Sequence, residues 1–266
     1  MKTKRSTNNF IFWFAIEINC KEINQTVSIM SKKIIYLSII LFPILFSSCL
    51  FGPTMKGNGH VVDEVRKVKD FDGIKASRGI NVYITQGNEK KVLVRADENL
   101  LDAIETKVHD NILIVRSTAM IRKAESFKVF VTVPELELIE ASSGSNVFSE
   151  TDIKSNDLEL SSSSGANMTL DIDAGEVSAS ASSGANIRLD GLAEDVDAKV
   201  SSGANIKAED LKTKSAELKA SSGGNIWISV HKQLSANASS GGNIHYYGEP
   251  SELNINTSSG GNVVKR

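Results

Sequence analysis

The 266-residue sequence has little cysteine, proline or aromatic content. Its two cysteines cannot build a disulfide framework, so stability must come from packing and backbone hydrogen bonds. Four prolines exclude a proline-rich class, and 6% aromatic residues argue against a base-stacking platform. Six of the 30 Lys and Arg and two of the 32 Asp and Glu precede Cys49, so the rest of the chain has a net charge of −6. We expect no nucleic-acid partner, because such binding relies on a basic surface.

An apolar run of 13 residues, from Ile34 to Phe46, is too short to cross a bilayer as a helix, which takes about 20 residues. Two lysines precede it and two serines separate it from Cys49, which is the layout of a secretory signal peptide over residues 30–48. A cysteine directly after small residues resembles the lipobox of bacterial lipoproteins, although Phe46 stands where leucine is usual. The resemblance implies that Cys49 is the lipid attachment site. A plain signal peptide with an incidental thiol at Cys49 is the alternative.

Residues 1–29 precede this signal, which has its own methionine, Met30. We therefore expect residues 1–29 to be an upstream reading artefact. Residues 49–67 would then form a lipidated tether, since two or more acyl chains hold a protein stably at a membrane. The membrane is therefore one expected partner, and the protein would contact it through the lipid anchor.

The motif Ser-Ser-Gly-x-Asn-apolar occurs seven times in the rest of the chain, where x is Ser, Ala or Gly. Successive motif glycines lie 21, 19, 19, 20, 18 and 19 residues apart. A period this regular over half the chain indicates a solenoid. The motif glycines and asparagines are Gly144 and Asn146, Gly165 and Asn167, Gly184 and Asn186, Gly203 and Asn205, Gly223 and Asn225, Gly241 and Asn243, and Gly260 and Asn262.

Apolar residues alternate with polar ones on both sides of each motif, which predicts strands that bend at the motif. Helical solenoids have a different period, leucine-rich repeats need a fixed leucine pattern, and a propeller blade needs about 40 residues. The sequence therefore predicts an all-β fold, a parallel β-helix over residues 68–266. Each coil of about 19 residues would supply two or three short strands that pair in parallel with the next coil.

The motif has a physical role in this geometry, because every coil must turn at the same place. Glycine tolerates a positive φ, and asparagine is the next most tolerant residue. With the coils in register, the seven motif asparagines would form a ladder in which each side-chain amide donates to its neighbour. We predict that this corner ladder is structural.

The region before the repeats, residues 60–140, keeps strand character without the full motif. Residues 77–81 (SRGIN) look like a degenerate copy of it. We interpret this region as irregular N-terminal coils that cap the solenoid, and a separate small β domain is the alternative. The last coil would be exposed unless a partner molecule or the polar Lys265 and Arg266 cover it.

The stretch from Phe71 to Ile84 (FDGIKASRGINVYI) and the repeats after it resemble the putative autotransporter adhesins with a head GIN domain, a family of bacterial envelope proteins. The resemblance covers roughly residues 68–262. It implies a right-handed, single-stranded β-helix similar in shape to pectate lyases. It implies no demonstrated activity, because the adhesin label is itself an analogy between folds.

Few residues suggest chemistry. The four histidines lack metal-site spacing and the serines recur in every coil, so we expect no catalytic residue, metal or cofactor. Acidic residues in the loops between motifs would line one edge of the solenoid. We expect them to be solvated there, with a weak cation site as the alternative. Trp227 and His245 each lie four residues after a motif glycine. With Tyr246 and Tyr247 they could form a stacking patch for a sugar, with surface packing as the alternative.

Together these features predict a lipid-anchored, extracytoplasmic β-helix of the outer membrane, facing the periplasm or the cell surface. Its expected role is that of an adhesin or envelope scaffold without catalysis. A polysaccharide, or a protein of the envelope or of a host surface, is the expected partner. The alternative is a carbohydrate-active protein, similar to pectate lyases, that binds or cleaves polysaccharide.

Overall fold

A computed structural model describes residues 54–266 of the chain. The predicted signal peptide, Cys49 and residues 1–29 lie outside the described residues. Within residues 54–266, no helix has the length and apolar character needed to span a membrane.

The first half of the described chain contains short strands and one 3₁₀ helix, and the second half contains the repeats. The elements of the first half are β1 (Thr54–Lys56), β2 (Val61–Arg66), β3 (Gly73–Ser77), β4 (Asn81–Gln86), β5 (Lys91–Asp97), the 3₁₀ helix (Glu98–Ala103), β6 (Ile104–His109), β7 (Ile112–Ser117), β8 (Met120–Lys123) and β9 (Phe127–Val133). Those of the second half are β10 (Leu138–Ser142), β11 (Asn146–Ser149), β12 (Ile153–Ser162), β13 (Asn167–Ala181), β14 (Asn186–Val200), β15 (Asn205–Ala220), β16 (Asn225–Ala238), β17 (Asn243–Tyr247), β18 (Glu252–Thr257) and β19 (Asn262–Lys265).

The repeats stack as parallel coils. Strands β13 to β16 each run from a motif asparagine to the residue before the next Ser-Ser pair. Neighbouring strands are in register at the motif, with Asn167 opposite Asn186, and the register shifts within the pairs β14–β15 and β15–β16. The result is a β-solenoid of about seven turns with coils of about 19 residues, which confirms the predicted fold class. Each of these strands is 14 to 16 residues long and bends without ending, so the prediction of two or three separate strands per coil was wrong for this part.

The long strands bend again on the side away from the motif. In β13 the alternation of buried and outward residues slips at Gly175 and Glu176, and in β15 it slips twice, at Glu209 and Asp210 and at Lys214 and Ser215. A β-carbon on Gly175 would lie 2.7 Å from the carbonyl oxygen of Asn156 in the previous coil. Glycine therefore allows two coils to pass closely at this bend.

Most N-terminal strands belong to the same sheet as the repeats, while β1 and β8 pair in parallel as a separate two-stranded sheet. The spatial order of the N-terminal strands differs from their chain order. The coil of β3 and β4 pairs in parallel with β10 and β11 on one side and with β7 and β9 on the other. Strand β5 pairs antiparallel with β2 and β9, and β6 pairs antiparallel with β7, which differs from the purely parallel pairing expected. The direct pairing of β3 and β4 with the repeats favours one solenoid over a separate small domain.

A buried carboxylate, Asp97, fixes the chain at this capped end, where its side chain is 1% exposed. Its Oδ1 accepts hydrogen bonds from the N–H groups of Glu125 and Ser126, both at 3.0 Å, and its Oδ2 accepts one from Gly59 at 2.8 Å. Burial by itself would raise the pKa of Asp97, but the backbone hydrogen bonds outweigh it and hold that pKa below its ordinary value of 3.8.

One hydrophobic core runs through the coils from Phe71 to Tyr246. Alanines fill many inward positions beside the motif. In the last coil the inward residues Leu253 and Ile255 are 50% and 42% exposed, although the residues opposite them in the preceding coil are buried. This end of the described solenoid therefore presents apolar side chains on its surface.

Candidate functional site

The Ser-Gly motifs form a straight ridge along the solenoid, which we call the corner ridge. In the second repeat, Ser164 and Gly165 have φ values of 52° and 71°, and Ala166 N donates to Ser163 O at 3.1 Å. This pattern is that of a type I′ turn, in which both central residues have positive φ. We expected glycine and asparagine to be the residues tolerant of this conformation, but the second serine adopts it and the asparagine begins the next strand.

The motif asparagines lie in one row beside this ridge. Asn167 Nδ2 donates to Asn146 Oδ1 at 2.9 Å, and Asn186 Nδ2 donates in turn to Asn167 Oδ1 at 2.9 Å. The same bond joins each neighbouring pair from Asn81 to Asn262, at 2.8 to 3.1 Å. Asn81 is the asparagine of the degenerate motif, so the ladder has eight members. Each inner amide both donates and accepts, which ties the coils together along the ridge.

The structure brings Trp227 and His245 together. Their ring centroids are 5.3 Å apart and their planes differ by 17°. Lys207, from the preceding coil, places its Nζ 5.8 Å from the indole centroid, and Arg266 Nε donates to His245 Nδ1 at 3.2 Å. Burial, helped by the charge of Arg266, lowers the pKa of His245. His245 thus stacks on the indole and the Lys207 ammonium lies over the same ring, so a sugar that stacked on Trp227 would compete with these neighbours.

Tyr246 does not reach this surface, because its side chain is 6% exposed and lies in the core. It stands five residues after Gly241, at an inward position of the alternating pattern, so this burial could have been read from the sequence. Tyr247 is partly exposed and lies opposite Ser229.

Trp227 and His245 belong to a longer row of outward side chains that the sequence reasoning missed. Tyr83 and Phe148 also stand four residues after the glycine of their motif, and Tyr83 stacks against Phe130 on one side and Phe148 on the other, at 5.1 and 5.2 Å. Such pairs stabilise by about 0.5–1.5 kcal/mol beyond the area they bury, so this row braces neighbouring coils. The aromatic row comprises, along the solenoid, Phe130, Tyr83, Phe148, Thr169, Arg188, Lys207, Trp227 and His245.

The acidic residues between motifs lie on the long strands and not in the loops that we expected. Several are held by cations: Arg188 contacts Asp190 at 3.1 Å and Asp210 at 2.7 Å, and Lys214 pairs with Glu194. In the described part of the chain, no group of three or more His, Cys, Asp or Glu side chains is arranged to hold a metal ion.

A shallow trough follows the other side of the corner ridge, where the long strands end. Two depressions of about 270 and 280 Å³ share Lys219 and Ser221 and form this feature, which we call the serine–lysine trough. Small buried residues such as Ala181 and Ala238 form its floor. One wall takes one residue from each of six coils, Ser161, Ser180, Lys199, Lys219, Asn237 and Asn256, and the other consists of the first serines of the motifs, Ser182, Ser201, Ser221, Ser239 and Ser258.

Solved structures share this fold. A putative adhesin from Bacteroides fragilis is 20% identical with a TM-score of 0.73, covering 80% of this chain and 100% of its own. One from Parabacteroides merdae is 21% identical with a TM-score of 0.63, covering 81% and 100%. A putative lipid binding protein from Parabacteroides distasonis is 22% identical with a TM-score of 0.66, covering 80% and 99%. These likenesses show a common fold.

No curated protein matches the chain. A family model does match it, over residues 70–250, which includes the degenerate motif and all but the last of the seven repeats. The match spans well over half of the chain and confirms the resemblance found in the sequence. The chain belongs to the family described as putative auto-transporter adhesin, head GIN domain.

Proposed function

We propose that this protein is a lipid-anchored, non-catalytic binding module of the bacterial outer membrane with an adhesin-like role. Family membership supports an adhesin-like role and a location in the envelope or outside the cell. The observation that carries the proposal is the straight surface beside the corner ridge, where eight asparagines hold the coils in register over about 34 Å at the usual strand spacing. A rigid surface of this length can bind an extended partner through many weak contacts, at little cost in ordering itself.

A catalytic role is less well supported. Cleavage of a polysaccharide needs an acid and a base that converge on the bound chain. Of the described residues, no carboxylate or histidine lines the serine–lysine trough. Incubation with acidic polysaccharide should therefore give no unsaturated product, as measured by ultraviolet absorbance, and turnover would contradict the proposal.

An adhesion assay tests the binding role. Beads coated with the purified protein should be retained under flow on surfaces coated with bacterial envelope or host mucus. Beads coated with the heat-unfolded protein are the control and should wash off. Equal retention of coated and uncoated beads on every surface would refute the adhesin-like role.

The lipid anchor is tested through Cys49. We expect Cys49→Ser to move the protein from the membrane fraction to the soluble fraction and to abolish labelling by radioactive palmitate, because no acylated thiol remains. Cys20→Ser is the matched control and should change neither result. Membrane retention of the Cys49→Ser protein would show that something other than this lipid holds it.

A further inference from the structure

The serine–lysine trough differs from the rest of the surface in the chemistry of its walls. Its wall side chains carry hydroxyl, amide or ammonium groups, and no carboxylate within residues 54–266 lines it. The chain from Cys49 onward has a net charge of −6, and Asp197 and Glu217, which pair with the two lysines of the trough, lie just outside its lining. The groups that line the trough are thus mainly hydrogen-bond donors, two of them cationic, which suits an occupant that carries carboxylates and hydroxyl groups.

The two lysines occupy a position that leaves them able to bind an anion. Lys199 and Lys219 lie directly opposite each other on neighbouring coils, where like charges repel. Each contacts a carboxylate of its own strand, Lys199 with Asp197 at 2.8 Å and Lys219 with Glu217 at 2.6 Å. These pairs are about half exposed and contribute little, and an ammonium group has three N–H donors. The two carboxylates offset the repulsion between the lysines, and each lysine still keeps N–H donors for an anion that lies in the trough.

The shape of the trough favours a long occupant with a repeating structure. A hydroxyl, amide or ammonium group recurs once per coil on one wall, over six coils and about 24 Å at the usual strand spacing, and a serine hydroxyl recurs over five coils on the other. A polymer that runs along the solenoid axis can make similar hydrogen bonds at every coil, whereas a small molecule would use only a fraction of them. No aromatic side chain of the described residues lines the trough, so recognition would rest on hydrogen bonds and charge.

We propose that the serine–lysine trough binds a linear acidic polysaccharide that lies parallel to the solenoid axis. Its carboxylates contact Lys199 and Lys219, and its hydroxyl groups bond to the serines and asparagines of the two walls. This proposal rests on the surface-binding function proposed above and names the class of ligand. It also assigns recognition to a surface other than the aromatic row, whose rings stack in two separate groups.

Titration calorimetry of the purified protein with a ten-unit oligogalacturonate tests the proposal directly. The fully methyl-esterified oligomer is the matched probe, since it keeps the sugar chain and loses the charge. We expect the acidic oligomer to bind at least tenfold more tightly than the ester, and three-unit oligomers to bind more weakly than ten-unit ones. Affinity should fall as the salt concentration rises, because the lysines are exposed.

Substitutions of the trough residues test whether the polysaccharide binds there. The double variant Lys199→Gln and Lys219→Gln should lose at least tenfold in affinity, while arginine at both positions should keep it within about threefold. Lys212→Gln is the control, because Lys212 is an exposed lysine of the same strand as Lys219 but lies outside the trough. If the double glutamine variant does not fold, Ser180→Asp, which adds a carboxylate to the wall, should abolish binding.

Three results would overturn the trough proposal: no binding of the acidic oligomer at low salt, equal binding of the ester, or full affinity in the double glutamine variant. The bead assay separates this failure from that of the proposed function. If wild-type and double-variant beads adhere equally well, the protein is adhesive through another surface and only the trough proposal fails. If wild-type beads do not adhere to any surface, the adhesin-like function itself fails.

Discussion

Gly241 and Gly242 are neighbours in one corner, yet replacing each by alanine should destabilise the protein by different mechanisms. Gly241 has a φ of 73°, and a β-carbon there would meet nothing within 4 Å. Alanine in this left-handed conformation costs about 1–2 kcal/mol. The smaller conformational freedom of alanine in the unfolded chain returns about 0.4–1 kcal/mol. We therefore expect Gly241→Ala to lower the free energy of unfolding by about 1 kcal/mol.

Gly242 faces the backbone of the preceding coil. A β-carbon there would lie 2.5 Å from the carbonyl carbon of Ala220 and 2.6 Å from its oxygen, so the coils must separate. Separation weakens two hydrogen bonds, Asn243 N to Gly224 O and Ser239 N to Ala220 O, each 2.9 Å long and each contributing about 1 kcal/mol. Overpacking adds about 1–3 kcal/mol. We expect Gly242→Ala to lower the free energy of unfolding by about 3 kcal/mol or more.

Urea unfolding followed by circular dichroism measures both variants against the wild type. The matched control is Ala204→Gly, which makes the reverse change at the equivalent place in an earlier coil where alanine fits and is buried. It should cost about 1–2 kcal/mol, from the lost buried methyl group and the greater freedom of glycine in the unfolded chain. If Gly242→Ala is no more destabilising than Gly241→Ala, close approach of the coils is not what requires glycine at this position.

Three further predictions test the cap, the ladder and the aromatic row. Asp97→Asn should lower the free energy of unfolding at neutral pH by about 1.5–3 kcal/mol, the usual contribution of hydrogen bonds to a charged group. Because the folded state depresses the pKa of Asp97, this contribution is present above about pH 3.8 and is lost as the pH falls through the folded pKa, so the two proteins should converge in acid. Convergence only at alkaline pH would contradict the assignment. Asn205→Leu breaks two ladder bonds and should cost about 2 kcal/mol in urea unfolding, whereas Asn262→Leu breaks one and should cost about half as much. Equal costs would argue against a ladder of separate bonds. Phe148→Ala should lower the melting temperature through the lost contact with Tyr83, and an unchanged value would show that the stack does not brace the coils.

The stacking of the repeats could be predicted from the sequence because the same turn recurs in every coil. A spacing of 18 to 21 residues between identical Ser-Gly-x-Asn segments forces each corner onto the one before it. In-register parallel strands and a row of asparagines follow from that alignment. The residues that adopt the left-handed conformation were harder to predict, because the motif contains a serine, a glycine and an asparagine. The structure shows that Ser164 adopts it together with the glycine, and that Asn167 does not.

The N-terminal coils could not be placed in this way. Strands β3 and β4 carry the degenerate motif and could be aligned with the repeats, but the outer coil of β7 and β9 comes later in the chain and lies on their other side. No motif marks that reversal. Phe130 therefore joins Tyr83 in the aromatic row although their strands do not share a sequence pattern, and this part of the row could not be predicted.

The repeats separate the positions that build the fold from those that can recognise a partner. The corner residues and the inward apolar columns change little between coils, because each must fit the copy above and below it. The outward positions face water and can differ from coil to coil without disturbing the stack. Along one wall of the trough the residue changes from serine to lysine to asparagine, while the corner beside it keeps the same turn. Specificity for a partner in such a protein is therefore expected to reside in the outward rows, and exchanging Lys199 and Lys219 for the serines of earlier coils should alter binding while leaving the solenoid intact.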